Sequence, residues 1–130
     1  MFKETTYGVT VTVMPVYIDE RSNPQNSEYF WAYRVAIENN SGRTLQLMTR
    51  YWYITDSNGR IDEVRGDGVI GEQPFIENGQ EYSYSSGCPL TAPSGIMVGH
   101  YTMQNDQGSQ LEIAIPAFSL DLPDLSPSIN

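Results

Sequence analysis

The stretch Arg65-Gly66-Asp67-Gly68-Val69-Ile70-Gly71-Glu72 holds the residue types best suited to grip a ligand. Its glycines are spaced G-x-G-x-x-G. Glycines this close mark backbone at positive φ or backbone pressed against something. In a dinucleotide site the string follows a strand and opens a helix whose N-terminus faces a pyrophosphate. Ile61 to Val64 reads as a short strand before it. After it come Glu72-Gln73-Pro74, an extended piece and an Asn78-Gly79 turn, with no apolar 3.6-residue period. The dinucleotide reading therefore fails. A nest of backbone amides, helped by Arg65, could hold an anion without a helix. Glu63, Asp67 and Glu72 oppose that, and the plain alternative is a tight loop joining or covering strands.

Other chemistry is thinly provided. A nucleophile needs a base and an orienting group. The single histidine, His100, falls mid-strand in Gly99-His100-Tyr101, and the single cysteine, Cys88, precedes Pro89 in a loop. Nothing in strand geometry brings the two together, and they are too few for a zinc site. Asp56, Asp62, Glu63, Asp67 and Glu72 could hold a hard divalent ion through oxygen, but their spacing is not that of an EF-hand. No catalytic residue, metal ligand or cofactor is assigned. Arg50, Tyr51, Trp52, Tyr53 and Arg65 are of the types that anchor interfaces. The candidate binding set is Arg50, Trp52, Arg65, Gly66, Asp67, Gly68, Gly71 and Glu72.

These residues must be positioned by strands. Nine Tyr, four Phe and two Trp, with eleven Gly and eight Pro, suit short strands and many turns. At 130 residues the chain suffices for one core. Val9, Val11 and Val13 alternate with threonines in a strand over Tyr7 to Ile18, at an edge or bulged at Pro15. Tyr29 to Asn39 is the next strand, and Thr44 to Thr55 a long one. A bulge near Thr49 would turn Trp52 and Ile54 to the same face as Leu45 and Leu47. Asp56-Ser57-Asn58-Gly59 is a hairpin turn. Further strands are read over Glu81 to Ser85, Ile96 to Met103 and Gln110 to Ala117, with a structured loop over Ser86 to Leu90. The sum is one all-β domain, an antiparallel sandwich of seven to eight strands with no significant helix. An open barrel is the alternative.

Charge narrows the partner classes. The formal net charge is −9, and all seven Lys and Arg lie in residues 1–65. Residues 66–130 hold eight Asp and Glu and no Lys or Arg. Nucleic acid and anionic membranes call for a basic stripe, so both are excluded as partners. A lone cysteine fits a reducing compartment, and the N-terminus lacks the apolar run of a signal peptide. A cytoplasmic protein is expected.

Four segments together carry a resemblance: Arg50-Tyr51-Trp52-Tyr53-Ile54-Thr55-Asp56, Glu63 through Pro74, Gly87-Cys88-Pro89-Leu90, and Ile115-Pro116-Ala117-Phe118. In this order they resemble the bacterial ApaG family, over about residues 4–120. The resemblance implies a fibronectin-type-III-like (immunoglobulin-like) sandwich and protein–protein contacts. It also implies an association with cobalt and magnesium efflux. No catalytic residues are established for the family. The expectation is thus a non-catalytic module over residues 1–120, with a flexible acidic tail over 121–130, that binds an as yet unknown protein partner. A small ligand at the glycine loop, a pyrophosphate, nucleotide or other weakly held anion or a divalent cation, is the alternative.

Overall fold

The computed structural model describes residues 1–123, so most of the tail expected over 121–130 lies outside the described residues. Nine strands follow one another: β1 (Phe2–Thr6), β2 (Val9–Tyr17), β3 (Tyr29–Asn39), β4 (Leu45–Asp56), β5 (Ile61–Asp67), β6 (Phe75–Ile76), β7 (Glu81–Leu90), β8 (Gly95–Asn105) and β9 (Gln110–Leu120). Two single turns of 3-10 helix, Asp19–Arg21 and Pro24–Asn26, lie between β2 and β3. One sheet has the order β1-β2-β3-β7 and the other β5-β4-β8-β9, with β6 also paired to β4. All pairings are antiparallel. The two sheets form the expected sandwich. Among the described residues no helix is long and apolar enough to cross a membrane.

The strand count exceeds the expected seven to eight. β1, Phe-Lys-Glu-Thr-Thr, is mostly exposed and carries no apolar alternation. β7 continues through Ser86–Leu90, where a loop was expected from Ser, Gly and Pro. Its position explains this. β7 pairs only with β3, and Pro89 sits on an edge strand, where a missing N–H breaks no ladder. Pro15 obeys the same rule, because β1 covers β2 only as far as Val13.

The core follows period-2 alternation. Val9, Val11 and Val13 face Trp31, Tyr33, Val35 and Ile37 of the same sheet, and Leu45, Leu47, Tyr101, Met103, Ile113 and Ile115 of the other. The bulge expected in β4 is present. Its register against β8 shifts between Leu47 and Thr49, which brings Trp52 and Ile54 onto the buried face. Trp52 packs edge-on against Tyr33 at 5.7 Å and Phe118 at 5.8 Å.

The two sides of the sandwich differ. On one side β9 lies against β1 and β2, with the Ala114 amide donating to Thr6 Oγ1 at 3.3 Å. On the other, the edge strands β5 and β7 line the two walls of a groove of about 380 Å³. Every residue of β5 except Gly66 is exposed. Turn residues bracket this open side. Asp56 Oδ1 accepts from the amides of Asn58 (2.8 Å) and Arg60 (3.0 Å), which closes the β4–β5 hairpin.

Candidate functional site

The glycine motif continues out of β5 into a tight hairpin tip, and each glycine has its own local reason. Gly66 lies opposite Arg50 in the β4–β5 ladder. A Cβ added there would stand 2.8 Å from the guanidinium nitrogens, so the missing side chain leaves Arg50 its place. Gly68 has φ +60 and lies so close to the Glu72 carbonyl that a Cβ would collide with it. Val69 and Glu72 exchange backbone bonds of 2.8 and 2.9 Å around Ile70 (φ 48) and Gly71 (φ 74). Positive φ at both central residues is the requirement of a type I′ turn. The Gly68 amide donates to the Met48 carbonyl at 2.8 Å. The amides of Gly68, Val69 and Glu72 are thus spent within the chain rather than gathered as an anion cradle.

Arg50 joins the hairpin to the interior. The bulge gives it the same facing as Trp52, toward the space between the sheets. Its Nη1 donates to the carbonyls of Asp67 (3.1 Å) and Gly68 (2.9 Å). It lines both the β5–β7 groove and an adjoining pocket of about 170 Å³ under the hairpin tip. Tyr33, Trp52 and Ser86 are common to both cavities, and Tyr84 closes the smaller one. Burial raises the pKa of Tyr33, Tyr84 and Tyr101, and in each case the Arg50 charge pulls weakly the other way. The Tyr84 and Tyr101 hydroxyls bond to one another.

The expected binding set divides across the β4–β5 ribbon, because successive residues of a strand face opposite ways. Arg50 and Trp52 face the groove, but Trp52 is only 3% exposed and belongs chiefly to the core. Arg65 faces outward, stacked over the Tyr51 ring at 4.4 Å and 3.7 Å from Glu63. Tyr51 donates to Glu63 at 2.6 Å, and its ring lies 5.2 Å from that of His100. Asp67 and Glu72 are exposed beside the hairpin, and their carbonyls, accepting from Arg50 and Val69, are what the fold uses.

The remaining candidates are dispersed. Cys88 is buried on β7, in a strand rather than the expected loop. Burial, and secondarily the Asp62 charge, pushes its thiol up to about 11. His100 lies on the other sheet, 3.5 Å from Glu112. Asp62 pairs with Arg60 at 3.5 Å. Among the described residues no three His, Cys, Asp or Glu side chains gather as a metal-ligand set. Sequence reasoning missed Tyr33, Tyr84 and Ser86, which become neighbours of Arg50 only when the sheets stack. It also missed Ile70. The signal there was an Ile-Gly pair in a two-residue turn that favours Asn-Gly.

Comparison with known proteins places this arrangement. The ApaG domain model matches residues 19–105. Protein ApaG of Rhizobium meliloti (strain 1021) is 54% identical over 130 residues, aligned over 100% of both chains. The Brucella suis biovar 1 (strain 1330) protein of the same name is also 54% identical over 130 residues. A crystal structure of the ApaA protein from Bordetella pertussis is 40% identical, with a TM-score of 0.87 over 95% of this chain and 99% of that one. The match takes in the β4–β5 ribbon, the glycine hairpin and the β7 wall of the groove, and the chain belongs to the ApaG domain family.

Proposed function

We propose that this protein is a non-catalytic binding module whose partner is another protein, docked across the open side of the sandwich at β5 and the glycine hairpin. The observation that carries this reading is Ile70. A β-branched residue in the left-handed region is strained, and this one is also 60% exposed at the hairpin tip. The fold gains little from that side chain and bears its strain, which is the pattern of a residue kept for an external contact. Exposed β5 next to it supplies a free strand edge and the Arg65–Tyr51 stack. A link to cobalt and magnesium efflux, which the family resemblance implies, would on this reading be exercised through the bound partner.

The test compares proteins retained from the cognate cell extract by the wild-type chain, by Ile70→Asn and by Arg65→Ala. Both variants should stay folded, since neither side chain is core. Loss of the same retained protein in both is the expected outcome. Retention unchanged in both would sink the proposed surface. A rise in melting temperature with pyrophosphate or Mg²⁺ instead would favour the small-ligand alternative.

A further inference from the structure

Among the described residues, Arg50 is the one cation that lines the groove. Its Nη1 is already committed to the carbonyls of Asp67 and Gly68, which fixes the guanidinium plane. Among the described residues, its Nε and Nη2 have no acceptor and the group is in no ion pair. Those two nitrogens form the side of the fork that matches a carboxylate bidentately. The Tyr33 and Ser86 hydroxyls share both cavities with it. The surroundings set the rest of the ligand's charge. Asp62 lines the groove, 3.5 Å from the exposed Arg60, and Asp67 and Glu72 flank the hairpin with no ion-pair partner among the described residues. A dianion would meet one cation and several carboxylates. A single carboxylate with basic neighbours would meet complementary charge at every position.

We propose that the pocket at Arg50 takes one Asp or Glu side chain of an extended partner segment, with Lys or Arg residues on either side of that acid in the segment. This rests on the binding-module reading above and names the chemistry it selects. The carboxylate seats on Nε and Nη2 of Arg50, beside the Tyr33 and Ser86 hydroxyls. The flanking cations lie toward Asp62 in one direction and toward Asp67 and Glu72 in the other.

The experiment selects random twelve-residue peptides displayed on phage against the intact protein at physiological salt, then measures synthetic versions of the winners by calorimetry. Enriched peptides should share one Asp or Glu between basic residues. Changing that acid to Asn or Gln in the peptide should weaken binding about tenfold or more, as expected for a lost charge-assisted bidentate pair. Arg50→Gln should do the same, and its amide spectrum shows whether it has folded. The peptide exchange leaves the protein untouched, so the proposal stays testable if that variant does not fold. Enriched peptides that lack a shared acid, or that bind within twofold after its amidation, would overturn the carboxylate assignment while leaving the groove as a docking site. No enriched peptide at all would overturn the binding-module reading itself, and the assignment with it.

Discussion

At Ile70 the backbone sits at φ 48, in a turn position that glycine or asparagine fills without strain. Replacing Ile70 by Asn should therefore raise stability by about 1 kcal/mol, since left-handed strain of roughly 1–3 kcal/mol is relieved and little burial is lost. Urea melts would check this, and a destabilised variant would show that Ile70 packs in the fold. Gly68 lies at the opposite extreme. It combines φ +60 with a backbone carbonyl where a Cβ would stand. Gly68→Ala should cost about 2–4 kcal/mol, the left-handed and overpacking penalties together. Gly66→Ala should cost less, because its backbone is not left-handed and its obstruction is the Arg50 side chain, whose bonds it would disturb, rather than backbone. A larger loss at Gly66 than at Gly68 would mean the Arg50 clamp, not the turn, holds the hairpin.

β5 and β4 share a ladder but not a stability. β4 is paired on both sides and sends Leu47, Trp52 and Ile54 into the core, whereas β5 has one neighbour and no buried residue. Native-state hydrogen exchange should find amides of β5 opening well before those of β4 and β8. Equal protection across the ribbon would show that the open side is closed in solution. The contrast also marks what could be read from the sequence. The bulge near Thr49 was legible because Leu45-x-Leu47 and Trp52-x-Ile54 are out of phase. β7 past Ser85 was not, since Ser, Gly and Pro are turn formers until β3 is placed beside them as their only partner. The glycine spacing announced a tight loop with positive φ at Gly68 and Gly71, and the strand β6 rather than a helix follows it. The set Arg50, Tyr33, Ser86 was illegible for a different reason. Tyr33 and Ser86 pair across β3 and β7, and only the stacking of the sheets brings Arg50 of β4 beside them.

The whole molecule puts an unusual tyrosine cluster between its sheets, and this predicts how it fails at high pH. Tyr33, Tyr84 and Tyr101 are buried, and burial raises the pKa of each above its ordinary value of 10.0. The neutral phenol is thus favoured in the folded state, while the unfolded chain ionises near pH 10. The resulting stability is fully present below pH 10 and is lost as pH rises from there toward the folded-state values. For Tyr84 and Tyr101, each pH unit above 10 favours the unfolded chain by about 1.4 kcal/mol per residue. Two such groups match a typical total stability of about 5–15 kcal/mol within a few pH units. Phenolate absorbance from the buried cluster should therefore rise in a cooperative step, as far-UV dichroism collapses. Replacing both Tyr84 and Tyr101 by Phe removes their mutual hydrogen bond without leaving a lone hydroxyl, so stability near neutral pH should change little. The alkaline step should then move to higher pH. An unchanged alkaline midpoint in that double variant would show that the acidic surface, with its net charge of −9, drives alkaline unfolding by self-repulsion instead.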